Sequence, residues 1–273
     1  IFTAKDLASA RMRALERNFK SLDGTSDEVA ARFSKNTKHM GIGLGLMGAG
    51  AVGLRALGPA VTEARSFSKA IAEVATLTDE ATFSTEEMRK VTMELAETYG
   101  ADALQQAPAL YQTISAGISD AEGATELLHV ANKLAIGGVT DLEIGVGGLA
   151  AAMNTYKAEG LTAEEASDAL FVGMKNGITT VEALSKTVGR VSPIAKEMGI
   201  SFDEVVASIS TITSTGVKTS EAVSGLKASL ANIIKPTSDA KKEAKRLGIE
   251  FTTAAVRAKG WQGFLDSITS SAK

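Results

Sequence analysis

Gly43, Gly45 and Gly48 stand in a Gly-x-Gly-x-x-Gly arrangement, with Glu63 twenty residues beyond Gly43, the spacing of a dinucleotide-binding turn. That chemistry needs a strand before the glycines, a helix N-terminus to take the pyrophosphate, and a parallel βαβ unit around both. A charged helical stretch ending at His39 precedes them instead, and nothing later supplies a second parallel strand, so nucleotide binding is set aside. His39 and His129 are the two histidines, and neither has a second ligand at metal spacing. His129, inside Leu127-Leu128-His129-Val130-Ala131, reads as an ordinary helix residue. The absence of cysteine removes disulfides, thiolate nucleophiles and thiolate metal sites together. There is no Gly-x-Ser-x-Gly elbow and no phosphate loop closing in Gly-Lys-Ser/Thr. The acids gather at helix starts, where capping and the helix dipole favour them, rather than as a pair set for acid–base work. No catalytic, cofactor-binding or metal-binding residue is expected.

The charge balance narrows the partners. The net charge is −3, but residues 1–40 hold eight Lys/Arg against five Asp/Glu, which leaves −6 for the remainder. Neither part has the dense basic face that counterion release requires, so sequence-specific nucleic-acid binding is not expected. The run from Lys235 to Arg246 mixes both signs and reads as a solvated helix face. With 273 residues, of which 44% are hydrophobic, the chain can bury a large core or two smaller ones. It opens at Ile1 rather than Met and stops in Ser270-Ser271-Ala272-Lys273, which suggests a piece of something longer.

What positions the remaining residues is a recurring connector: Gly, an aliphatic residue, then a hydroxyl. It occurs at Gly117-Ile118-Ser119, Gly138-Val139-Thr140, Gly160-Leu161-Thr162, Gly177-Ile178-Thr179 and Gly199-Ile200-Ser201, with weaker forms from Gly216 and Gly248. Glycine can turn left-handed and close a helix without a Cβ clash. The hydroxyl then caps the next helix, and an acid three residues on completes a capping box. Glu122, Glu143, Glu165, Glu182 and Glu204 occupy that place, and Ser84 with Glu87 repeats it earlier. Gly117, Gly138, Gly160, Gly177, Gly199 and Gly216 are therefore expected as helix connectors.

The spacing yields a period. Gly138, Gly177 and Gly216 lie 39 residues apart, as do Gly160 and Gly199. Laid over each other, 138–176 and 177–215 match Thr140 with Thr179, Glu143 with Glu182, Lys157 with Lys196 and Leu170 with Ile209. A helical hairpin repeated every 39 residues accounts for this, by duplication or by shared capping geometry. The expected fold is all-α, a stack of short antiparallel helices, with Ile249–Thr253 the one short strand candidate.

The earlier chain reads differently. Residues 1–39 are expected to form charged amphipathic helices, the first over Thr3–Leu22 with Leu15, Phe19 and Leu22 on one stripe. Residues 40–61 follow as an apolar Gly-rich helix whose Gly41, Gly45, Ala49 and Gly53 recur every four residues as one smooth face. Such a face lets helix backbones approach closely, in a bilayer or in a helical oligomer. Its uncharged part, Met40–Leu54, is short for a membrane span of about 20 residues, and reaches that length only with Arg55 snorkelling. Residues 62–248 are then expected as the helical core domain and 249–273 as an extension leading to further sequence.

Several segments, in order, carry a family resemblance. They are Ser66-Phe67-Ser68-Lys69-Ala70 running into Glu73–Thr78, Ala109-Leu110-Tyr111 leading to Ser115-Ala116-Gly117-Ile118, Gly160–Ala166, Val191–Ile200, and Lys245–Ile249. Over about Phe67 to Leu247 the chain resembles the core region of phage tail tape-measure proteins. It departs at Lys218–Lys227, where such proteins carry more glycines and a Leu-Arg pair. The resemblance implies a structural protein of the tail lumen that sets tail length during assembly and leaves ahead of the genome. It also implies the family's partners: the tail tube protein, tail-assembly chaperones, the tail tip or baseplate hub, further copies of itself in the lumen, and the host inner membrane. Its location would be the virion tail, with the host cytoplasm during assembly and the inner membrane on infection. The 39-residue period taken alone supports a different reading, a helical-repeat protein-binding scaffold unrelated to phage.

Overall fold

The computed structural model describes residues 62–271, and among these the protein is all-α, with no strand. Three helix starts follow from the local sequence alone. Ser84, Thr162 and Ser201 each sit in extended conformation, accept a hydrogen bond from the N–H three residues on, and have their own N–H taken by Glu87, Glu165 or Glu204. These reciprocal pairs satisfy two of the donors that a helix N-terminus leaves open.

The helices follow one another with short turns. Residues 62–75 are helical (α1), followed by α2 (Thr85–Tyr99) and α3 (Ala103–Ser115). Next come α4 (Ala121–Gly138), α5 (Leu142–Thr155), α6 (Ala163–Asn176), α7 (Val181–Thr187) and α8 (Ser192–Glu197). The last are α9 (Phe202–Thr213), α10 (Thr219–Ile234), α11 (Ser238–Arg246) and α12 (Thr253–Ser271), the last broken at Gly260. Two compact units divide the chain between Tyr111 and Gln112. In the first, Ile71 and Val74 of α1, Phe83, and Met88 and Leu95 of α2 are buried. In the second, α4 packs on α5 and α6, α6 on α9, α5 on α7, and α10 on α7 and α9. Its core holds Leu127, Leu128, Leu149, Leu170, Leu184, Phe202 and Ile209, each 2% exposed or less.

The 39-residue spacing reappears in the helix starts: Ala103, Leu142 and Val181 are 39 apart, and so are Ala163 and Phe202. The copies diverge inside. Where the first has α5 unbroken, the second stops at Thr187, makes a 3₁₀ turn over Val188–Arg190 and restarts as α8. Pro193 is the cause. It has no N–H to give the carbonyl four residues back, and it sits instead in the first turn of the new helix, where that donor is not needed.

Several expectations are corrected. Gly117, Gly160, Gly199 and Gly216 are left-handed, at φ 93°, 75°, 79° and 93°, but Gly138 and Gly177 are not. Gly138 is the last residue of α4 and the left-handed turn falls on Val139, at φ 51°; Gly177 is extended, at φ −116° and ψ 166°. Both glycines are there for space. A Cβ on Gly138 would lie 2.5 Å from Val181 Cγ2, and one on Gly177 2.5 Å from Thr213 Oγ1 and 3.0 Å from Ser210 Cα.

Three of the capping boxes also move. Asp120, Asp141 and Thr180 are the N-cap residues, not Ser119, Thr140 and Thr179. In each case the residue after the expected hydroxyl is itself a capping type, and the later one takes the place. Asp120 accepts from Gly123 N at 2.7 Å and Thr180 from Ala183 N at 3.0 Å, whereas Asp141 makes no side-chain cap bond. Thr179 Oγ1 pairs instead with Thr219 Oγ1 at 2.8 Å. Ile249–Thr253 is not a strand but the turn into α12.

Candidate interaction surface

Few titratable groups are perturbed, and their causes are structural. Glu165 is held below the ordinary carboxylate range by the Thr162 N–H and then by its hydroxyl, and Glu87 by the Ser84 hydroxyl and then its N–H. A carboxylate lowered by folding contributes stability above its unfolded pKa and loses it as pH falls through the lowered folded value. Thermal stability is therefore expected to drop as pH falls below about 5. In a melting series by circular dichroism, the paired Glu87→Gln and Glu165→Gln variant should show a smaller drop over that range.

Burial pushes the Tyr156 phenol above its ordinary range, and Glu159, Asp203 and Glu204 push it the same way. It is not poised for proton transfer. Its hydroxyl donates to the Ile200 carbonyl at 3.1 Å, and its ring meets Phe202 edge-on at 5.9 Å. This ties the turn after α5 to the one before α9. Tyr156→Phe should cost about 1–2 kcal/mol in urea unfolding, since the Ile200 carbonyl then loses a buried donor.

Close helix approach is the other organising feature. A Cβ on Gly148 of α5 would lie 2.6 Å from Ser185 Cβ and 2.9 Å from Ser185 Cα on α7. Gly173 of α6 leaves its room to Val206 of α9, and Ser210 Oγ donates across to the Gly173 carbonyl at 2.9 Å. Gly225 is the contrast: it lies inside α10 with nothing within 4 Å of an added Cβ. Gly225→Ala should raise stability by about 0.5–1 kcal/mol through helix propensity alone, read as a higher melting temperature.

Along the outer side of the α6–α9 pair runs a trough made of two cavities of about 620 and 380 Å³, which share Ala169, Val172 and Asp203. Tyr156 lines the larger cavity, where Lys196 pairs with Glu159 at 3.6 Å. Val172, 52% exposed, lines both cavities, as does Asp203, and Asp168 lines the larger.

Of the residues singled out from the sequence, Gly41, Gly45, Ala49 and Gly53 lie outside the described residues, as do the expected helices of residues 1–39 and 40–61. No helix among the described residues is long and apolar enough to cross a membrane, and none of their His, Cys, Asp or Glu groups could hold a metal. The sequence reading missed Gly148 and Gly173, whose role depends on a neighbouring helix. It also missed α12, where Trp261 donates from Nε1 to Ser208 Oγ of α9 at 2.8 Å and lies 6.1 Å from the Phe264 ring. The spacing of Val256, Trp261 and Phe264 was the available signal, interrupted by Gly260.

The profile of a family described as phage-related minor tail protein matches residues 89–273, from α2 to the end of the chain. The chain belongs to that family. It is thus a phage tail protein, and the reading as a scaffold unrelated to phage falls away. Among curated minor tail relatives, the chain is 27% identical over 200 residues to the "Probable tape measure protein" of Clostridium phage phiCD119, covering 72% of this chain and 21% of that one. It is 32% identical over 128 residues to the "Tape measure protein" of Pneumococcus phage Dp-1, covering 44% of this chain and 11% of that one. The chain thus spans about a fifth or less of the length of these relatives. No solved structure matches.

Proposed function

We propose that this chain is a compact helical segment of a tape-measure protein, a structural component that sets tail length and carries no catalytic step. The observation that carries this is the 200-residue similarity to the phiCD119 protein of that name, within a family match that includes α2 to α12. The residues support it by what they build: shifted acids that serve as helix caps, and helices joined by tight turns.

A ruler counts length along an extended chain, at about 1.5 Å per residue if helical. Residues 112–271 are folded back repeatedly, so in this state they do not count, and the ruler lies elsewhere in the longer protein. The partners that go with this reading are the tail tube protein, the tail-assembly chaperones, the tip or baseplate hub and further copies in the lumen. Ejection ahead of DNA and contact of residues 40–61 with the host inner membrane belong to the same proposal.

Tail lengths measured by electron microscopy test it in a phage whose tape measure contains this segment. Excising residues 112–271 should leave tail length nearly unchanged, whereas counting as extended helix predicts a loss of about 240 Å. Lengthening the chain outside this segment should lengthen tails by about 1.5 Å per added residue. Tails indifferent to that insertion would remove the tape-measure reading altogether.

A further inference from the structure

We propose that the trough between α6 and α9 is a docking groove for a helical segment with an apolar stripe flanked by lysine or arginine. The groove would take such a helix wherever in the tail the chain acts.

Three features converge on one occupant. The floor is low, because Ala169 of α6 and Ala207 of α9 both line it, and small side chains let a third helix come close. The wall offers an exposed apolar side chain, Val172, which is half out of the protein. The rim is acidic: Glu165, Asp168 and Asp203 line it, while its cation, Lys196, is engaged by Glu159. Asp168 and Asp203 are exposed and have no ion pair among the described residues. An apolar floor with uncompensated negative charge on both helices selects an amphipathic partner with positive flanks, and it rejects an acidic one. The helices that form it are 14 and 12 residues long, about 20 Å of groove, which suits a partner helix of three to four turns.

The test uses the full chain and two synthetic 14-residue peptides with leucines at helical i, i+3, i+4 spacing. One carries lysine at the flanking positions and the other glutamate, and binding is followed by fluorescence anisotropy at about 0.1 M salt. The lysine peptide should bind and the glutamate peptide should not. Asp168→Asn with Asp203→Asn should weaken the lysine peptide about fivefold, with the helical circular dichroism spectrum retained and only a small fall in melting temperature from the lost acid in the first turn of α9. Removing two exposed acids elsewhere, Glu221→Gln with Glu250→Gln, should not weaken it. Asp168→Lys with Asp203→Lys should exchange the preference, so that the glutamate peptide now binds. Failure of the lysine peptide to bind, equal weakening by both neutralised pairs, or no exchange on charge reversal would each overturn the proposal.

Discussion

Gly148→Val melts well below the parent protein: the expected loss is about 3 kcal/mol, or roughly 6–12 °C in a chain of this size. Helix propensity alone gives the opposite sign for a smaller change at the same place, since alanine is favoured over glycine in a helix interior by about 1 kcal/mol. Space decides the matter. A Cβ at Gly148 falls 2.6 Å from Ser185 Cβ and 2.9 Å from Ser185 Cα, and the second of these is backbone, which no rotamer change can move. Helices α5 and α7 would have to separate, and with them the burial of Leu149 and Leu184. Gly148→Ala should already be destabilising, while the same substitution at the open Gly225 is stabilising. A Gly148→Ala protein that melts higher than the parent would show that the two helices do not meet as described.

Phe202→Ala is expected to be the costliest truncation, about 3–5 kcal/mol in urea unfolding, with the slope of the transition preserved. Phe202 is the first residue of α9, 2% exposed, and its ring meets Tyr156 at 67° between planes. Removing it opens a cavity at a corner where the carbonyls of Ser192, at the start of α8, and Ile200, before α9, converge on the Tyr156 hydroxyl. The neighbouring capping box should persist, because the bond between Ser201 and the Glu204 N–H does not depend on the ring. A loss under about 1 kcal/mol would mean that the corner refills, and would place the core elsewhere.

The two substitutions also mark the line between what the sequence discloses and what it withholds. A helix start is a local event, and Ser84, Thr162 and Ser201 could be read with their acids because donor and acceptor lie three residues apart. The same reasoning slipped by one residue at Ser119, Thr140 and Thr179, where two capping residues adjoin and the choice between them depends on how the preceding turn is packed. Glycines divide in the same way. Gly117, Gly160, Gly199 and Gly216 do what a local turn needs, whereas Gly138 and Gly177 have their meaning in Val181 and Thr213, more than thirty residues on. The trough between α6 and α9 was not legible at all. Asp168, Val172 and Asp203 look like ordinary surface positions until two helices, 39 residues apart in sequence, bring them to one rim.

The contacts that build the second unit are short in chain terms: α4 touches α5 and α6, α6 touches α9, and α7 touches α10. Wiring of this kind closes small loops and places the polypeptide at the fast end of folding rates. Each pair of helices needs little of the remaining chain in place before it packs. A body wired between near neighbours in this way can bury its apolar surface pair by pair as the chain emerges.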